Sequence, residues 1–509
     1  MRNLDGERMT KTAFAMNCAA ARLSRLAGLS LVALALAGCA VGPDYAASGQ
    51  LLPASWGNAP KTAKPLDARR LSQWWKTLGD ARLNQIVDRA VAGNLDVASA
   101  KARIREARAT RRQAIGALFP TVDGQGSATR SRSSAATSAS GSNITSNLFQ
   151  AGFDSSFELD LFGGNARGVE AATYGADAAD EDLRATLLTL IGDVATNYIE
   201  ARGAQARASL ARRTAASQRE TEKLTRNKFT AGSASALDVE RAAAQAATTE
   251  AAIPTLEAAY AQSLHQLGIL TGEAPTALAG ILGRGGPIPS ARSTPPAGIP
   301  ADVLVNRPDV RRAERQLAQA TAKIGQAEAA LYPRVSLTGN ISATALKTGD
   351  LAKNSAIGWS FGPSLSVPIF NGGELRAAVE VAEAQRDQSD AALRLAVLTA
   401  LQDVENSLVN LAKERQRAGK LSAAANSFRE AARLSRSLYQ SGAASFLDVL
   451  DAERSLYSAE DTLLQSRVAT TSNFVALNKA LGGGWDKPVE VELPRVIDVN
   501  TGPHLRAAY

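Results

Sequence analysis

Between Phe149 and Leu161 the chain alternates apolar and polar residues, broken only at Ser155. Phe149, Ala151, Phe153, Phe157, Leu159 and Leu161 interleave with Gln150, Gly152, Asp154, Ser156, Glu158 and Asp160. The same two-residue period returns in Val335, Leu337, Gly339 and Ile341, and again in Trp359, Phe361, Pro363, Leu365 and Val367. A period of two sustained this long predicts strands with one greasy and one polar face. The spans are about 147–161, 334–346 and 357–370, with a weaker strand at about 121–133, where Gly124, Gly126 and several serines blur the pattern. Such strands suit a membrane barrel with a wet lumen. A half-buried soluble sheet is the plainer alternative.

Other segments carry a longer period. Leu183, Leu187, Leu190 and Val194 step by four, three and four, and Val397, Leu401, Val404, Leu408 and Leu411 do likewise. That is the spacing of helices packed side by side in a supercoil. No proline interrupts 166–228 or 375–438, so each run of roughly 60 residues would reach about 90 Å as straight helix. Each ends near a glycine, Gly232 or Gly442, where a short turn reverses the chain. Returning helices follow at about 238–270 and 448–481. Pro254 is expected to break the first of these.

The body is written twice. Phe229 to Val239 (FTAGSASALDV) matches Tyr439 to Val449 (YQSGAASFLDV), and Ala117-Leu-Phe-Pro120 matches Ala330-Leu-Tyr-Pro333. Leu161-Phe-Gly-Gly164 matches Ile369-Phe-Asn-Gly-Gly373, and Asp193-Val194 matches Asp403-Val404. Four matches in one order mark an internal repeat. The halves cover 71–285 and 301–485, each a strand pair, a long helix, a tight tip and a returning helix. A linker at 286–300 divides them, and a tail runs over 486–509.

Four strands are too few to close a barrel, and an open sheet edge is not tolerated in lipid. The copies must therefore associate, each giving its strands to a common wall. The fold class is mainly α with a membrane β-barrel.

The N-terminus adds an address. Arg22 and Arg25 precede an apolar run from Leu26 to Ala37, too short to span a bilayer as helix. This is the form of a signal peptide over 1–38. It closes on Leu36-Ala37-Gly38-Cys39, which looks like a lipobox whose cysteine, Cys39, is lipidated. Asp5 and Glu7 are acidic for such a leader, so Met1, Met9 and Met16 all stand as start sites. Residues 39–70 read as a lipidated N-terminal linker.

Composition narrows the chemistry. Cys18 and Cys39 are the only cysteines, and His265 and His504 the only histidines. Neither a zinc site nor a histidine-dependent triad has its residues, and His265 reads as an ordinary helix residue. All three methionines precede Cys39, which leaves the mature chain without thioether ligands for soft metals. The net charge of +8 is scattered, with no basic run among aromatics, so nucleic acid is not an expected partner. There is no Walker loop. An enzyme, a metal site and a bound cofactor are not expected.

The chain resembles the outer-membrane factor family of TolC-like outer membrane efflux proteins, and especially its NodT/OprM-type lipoprotein branch. The resemblance rests on Cys39 to Tyr45, Trp74-Trp75 with Leu83, Arg307-Pro308-Asp309-Val310-Arg311-Arg312-Ala313-Glu314, Ala330 to Pro333, and Leu481 to Trp485. It implies a homotrimer with a twelve-stranded β-barrel, continued by a periplasmic α-helical barrel. It also implies a lipid anchor in the outer membrane, a periplasmic adaptor (membrane fusion) protein and an inner-membrane pump of the RND type. The function implied is passive conduction of drugs or other small molecules to the exterior. A duct for type I protein secretion and a periplasmic adaptor lipoprotein are the alternative readings. The family's gate falls at the tip turns. By the resemblance, Tyr439, Asp448 and Asp451 form the periplasmic constriction, with Gly232, Gly442 and Asp238 shaping the turns. Arg241 stands where the second repeat has Asp451, so the two hairpins differ in charge. Ala444 replaces an arginine that locks the tip in some members.

Overall fold

The computed structural model describes residues 40–47, 53–58, 68–136, 141–291, 300, 303, 307–485 and 487–492. Cys39 and the leader lie outside the described residues. Helices α1 (Ala81–Gly93) and α2 (Leu95–Gly116) lead into strands β1 (Thr121–Arg132) and β2 (Thr145–Leu159). Then come α3 (Gly164–Thr230) and α4 (Ala236–Leu270). The second half runs α5 (Pro308–Ala329), β3 (Arg334–Ala345), β4 (Ile357–Ser366), α6 (Glu374–Ser441) and α7 (Phe446–Ala480).

Two differences from the sequence reading stand out. A helix precedes each strand pair, α2 and α5. In α2 charged residues lie all round the axis, and only the short row Val97, Ala100 and Ile104 is buried, so its apolar stripe is weak. Also, Pro254 lies inside an unbroken α4. Its ring removes one backbone donor. Leu256, buried against Ala208 and Ala211 with Ile253 alongside, holds the helix through the gap.

The chain divides into two compact units. The first takes in residues up to Ala47, Arg108–Ala176 and Gln316–Asp390. Its centre is one antiparallel sheet of order β1-β2-β3-β4. Two hairpins supply the strands, and β2 pairs with β3 from Phe149↔Ala345 to Leu159↔Val335, which joins the repeats in one sheet. The strand at 357 ends at Ser366, and the apolar run Val367 to Phe370 lies beyond the ladder.

Within this unit residues 41–44 are docked. Arg167, 5% exposed, donates from Nε to the Val41 carbonyl (3.2 Å) and from Nη2 to the Gly42 carbonyl (3.1 Å). It also meets Asp44 at 2.8 Å and Glu170 at 2.7 Å. Gly325 permits the approach, because a Cβ there would sit 2.8 Å from the Val41 oxygen. The expected linker is therefore seated, not free, at residues 41–44.

The second unit holds Ser48–Ala107, Asp177–Arg315 and Ala391 onwards. Its core collects the heptad rows: Leu183, Leu187, Leu190 and Val194 are buried, as are Val397, Val404, Leu408 and Leu411. Trp74 and Trp75 close it, the latter stacked on Trp485 with centroids 6.0 Å apart. Trp56 joins the core, and Gly57 and Asn58 donate backbone N–H to the Glu405 carboxylate at 2.6 and 3.2 Å. This second part of the linker is also packed.

Candidate functional site

Two places are candidates for function, one in each unit. The first is the sheet. Residues joined in register share a face. One face aligns Phe153, Ile341 and Trp359, and also Phe157, Leu337 and Pro363. It is open: Trp359 is 77% exposed, Phe361 69% and Leu365 66%. A soluble sheet covers such a face, and an uncovered apolar area this broad marks a lipid or protein contact. From Phe149 to Leu159 the apolar run of β2 is about 34 Å long. Tilted as in membrane barrels, it stands about 26 Å tall, the height of the apolar band in such barrels.

The other face is polar. Asp123, Asp154, Asn340 and Ser360 form one register line across all four strands. The Asn340 Oδ1 accepts from the Ser360 hydroxyl at 3.0 Å, and Ser336 and Ser364 hydroxyls meet at 3.1 Å. Glu158 lies on the same face, opposite Ser336. Two carboxylates directly opposed cost stability, which a wet surface with mobile cations offsets. Among the described residues, strands β1 and β4 each leave an edge without a ladder partner.

The second place is the pair of tips. After α3 and α6 the chain turns through Gly232 (φ +72°) and Gly442 (φ +81°). Positive φ is where glycine alone is at ease. The returning helices begin with matched capping boxes. The Ser235 hydroxyl donates to Asp238 at 2.7 Å, and the Asp238 N–H donates back at 3.2 Å. Ser445 and Asp448 repeat this at 2.7 and 3.4 Å. The Ser445 hydroxyl, then its backbone N–H, hold the Asp448 carboxyl below the ordinary aspartate range. Asp448 and Asp238 thus serve the helix starts, while Asp451 is exposed. Arg241 comes 4.0 Å from Asp238 on its own helix.

Tyr439 is buried, edge-on to Phe446 at 5.9 Å, with the Lys228 ammonium 4.9 Å from its ring. Its hydroxyl donates to Thr225 at 3.2 Å, linking the two hairpins. About one turn further in, buried Glu453 accepts from Thr221 (3.0 Å) and from Arg436 (2.6 Å), which also reaches Ser217. Residue patterning alone does not find this second link, because Glu453 reads as a solvated helix position. Its burial beside threonines is the only signal, and that is visible only in three dimensions.

The Arg307 block acts as an ionic clasp. Arg307 meets Asp309 (2.7 Å) and Asp403 (3.1 Å) and donates to the Ala480 carbonyl (3.0 Å). Arg311 meets Glu181 (2.6 Å) and Arg312 meets Asp182 (2.7 Å). Burial pushes the Glu181 carboxyl up, against the pull of its arginines. His265 is exposed. Among the described residues no cluster of metal-ligating side chains occurs, and no helix is long and apolar enough to cross a membrane.

Residues 86–273 and 299–483 match the family described as outer membrane efflux protein. The chain is 35% identical over 465 residues to nodulation protein T of Rhizobium leguminosarum bv. trifolii, covering 89% of this chain and 96% of that one. It is 34% identical over 461 residues to the toluene efflux pump outer membrane protein TtgI of Pseudomonas putida, covering 89% and 97%. Among solved structures, the outer-membrane channel OprN superposes with a TM-score of 0.82 at 36% identity, over 88% of this chain and all of that one.

Proposed function

The chain belongs to the outer membrane efflux protein family, and from that premise we propose that three copies form the exit duct of a tripartite efflux system. It is an outer-membrane efflux channel that extends into the periplasm. Three four-stranded sheets give twelve strands, enough to close a barrel. In our reading the apolar face meets lipid and the Asp123–Asp154 face lines the water path. The long hairpins continue the duct into the periplasm. The single observation that carries this is the four-stranded sheet with one uncovered apolar face and two open edges.

The duct is passive. The inner-membrane pump, of the RND type, supplies the energy, and a periplasmic adaptor couples the two. A lipid on Cys39 holds the mature N-terminus to the outer membrane. The cargo is small molecules. The tips are the gate: Tyr439, Asp448 and Asp451 set the constriction, and the turns at Gly232 and Gly442 with Asp238 shape it. Carboxylates about 6 Å apart repel by about 0.7 kcal/mol in water and about 3 kcal/mol at an effective dielectric of 20. A ring of Asp451 side chains would then favour cations.

The test is purification in detergent followed by planar-bilayer recording. A stable trimer with stepwise conductance is expected. A stable monomer, or protein wholly in the soluble fraction after processing, overturns the reading. Export assays with and without the pump and adaptor then identify the cargo.

A further inference from the structure

The apolar face of the sheet changes character within one register step at its far end. The line Ala128, Phe149 and Ala345 is apolar. One step on, on the same face, come Arg130 opposite Asn147, and Lys347, which keeps extended backbone (φ −130°, ψ 140°) past the end of β3. Arg132, opposite Thr145, follows. All three cations are exposed. No strand carboxylate shares their face: Asp123, Asp154 and Glu158 are on the other. The nearby Asp350 is taken by Lys353 at 2.6 Å. Among the described residues, Arg130, Arg132 and Lys347 have no salt-bridge partner. The opposite rim of the sheet is aromatic instead, with Phe162 stacked on Tyr332 at 4.6 Å.

We infer that Arg130, Arg132 and Lys347 form a docking strip for the phosphorylated headgroup of a glycolipid in the outer leaflet. The inference rests on the barrel reading, which makes this face the lipid-facing one. The strip then sits just beyond the top of the hydrocarbon band, at headgroup depth. Long cationic side chains lay their stems on apolar surface and hold the charge at the boundary. Arginine matches phosphate with two parallel N–H donors. Neighbouring copies pairing along β1 and β4 leave the strip open, because ladder hydrogen bonds lie in the plane of the sheet. A lumenal role for these cations is set aside by register, which puts them on the face opposite to Asp123, Asp154 and Glu158. A glycolipid is favoured over a plain phospholipid because three cations share one face at one end of the sheet with no strand acid on that face, and a headgroup with two phosphates can engage more than one of them.

The test uses the full-length protein in detergent, titrated with diphosphorylated lipid A, with the same lipid freed of phosphate, and with phosphatidylglycerol. Bound lipid is counted by native mass spectrometry. Tight binding of the diphosphorylated lipid alone is expected. The combined Arg130→Ser, Arg132→Ser and Lys347→Ser variant should weaken it about tenfold or more, since each cation near an anionic surface contributes appreciably. Lys353→Ser should leave it unchanged. Each protein is also recorded in a planar bilayer. A triple variant that conducts normally and binds the lipid as tightly as the parent overturns the inference and spares the barrel reading. Equal binding of phosphatidylglycerol overturns the choice of a glycolipid. If the triple variant fails to assemble, the single variants Arg130→Ser and Lys347→Ser decide, each expected to bind less tightly and overturning the inference if neither does. A parent protein that never inserts or conducts sinks both readings together.

Discussion

Arg436 donates to Glu453 across 2.6 Å, from the end of one helix to the first turns of the next, with the Glu453 side chain 7% exposed. The same carboxylate oxygen takes the Thr221 hydroxyl of the other repeat. Replacing Glu453 with alanine takes the carboxylate from Arg436 and Thr221, which keep only Ser217 as a partner there. Breaking a buried pair costs about 3–5 kcal/mol. Arg436 is 38% exposed, so about 1–3 kcal/mol is expected here. Hydrogen exchange should speed up in α6 and α7 around both residues, with the sheet unaffected. Protection equal to the parent's would show the link to be idle.

The capping boxes make a second expectation. Ser445→Ala removes an acceptor from the first turn of α7, and about 0.5–2 kcal/mol of local stability should go with it. The Asp448 carboxyl is held low by Ser445 in the folded chain. A lowered folded value means the stabilisation is complete above about pH 4 and fades as pH falls through the folded value. Amide exchange at the α7 start should therefore accelerate on acidification below that point. Asp448→Asn should flatten the dependence, and a profile identical to the parent's would remove Asp448 from it.

Asp451 is exposed beside that cap and has no structural bond to lose among the described residues. Asp451→Ala should weaken cation preference in single-channel recordings while leaving thermal stability within about 0.5 kcal/mol. Unchanged selectivity would take Asp451 out of the gate.

Pro254 offers a gain. An α-helix interior loses about 3 kcal/mol to a proline. Pro254→Ala restores the missing donor in α4 and should raise stability by up to about that amount, read as a higher Tm. A lower Tm would mean that the ring is packed to advantage.

Docking of the N-terminal segment is tested at Arg167. Arg167→Ala strips the Val41 and Gly42 carbonyls of a charged donor, each hydrogen bond to a charge being worth about 1.5–3 kcal/mol. Residues 41–45 should then become open to protease. Gly325→Val should do the same by crowding the Val41 oxygen. A segment still protected in both variants would have its anchor elsewhere.

The strands and long helices were legible because their periods are sustained: Phe149 to Leu159 alternates with one break, at Ser155, and Leu183 to Val194 keeps heptad spacing. Proline misled at position 254, since a single lost hydrogen bond is outweighed by side-chain packing along a 35-residue helix. Helix α2 escaped notice because its charges surround it. At the tips, Asp238 and Asp448 were readable as residues of a helix start, from their place after a turn. The Tyr439–Thr225 and Glu453–Thr221 links were not readable. They join residues more than two hundred positions apart, and no local pattern records which helices will lie side by side.

The pairing of β2 with β3 bears on how the chain reaches its final state. Phe149 and Ala345 meet across roughly 200 intervening residues, so the middle ladder is a high contact-order event with a large loop-closure cost. The first hairpin can form early, but it must wait with a naked edge until the second half has crossed into the periplasm. During that interval β2 is an aggregation hazard. The exposed edge of β2 is therefore the part of the chain with most to lose from delay before its distant partner arrives.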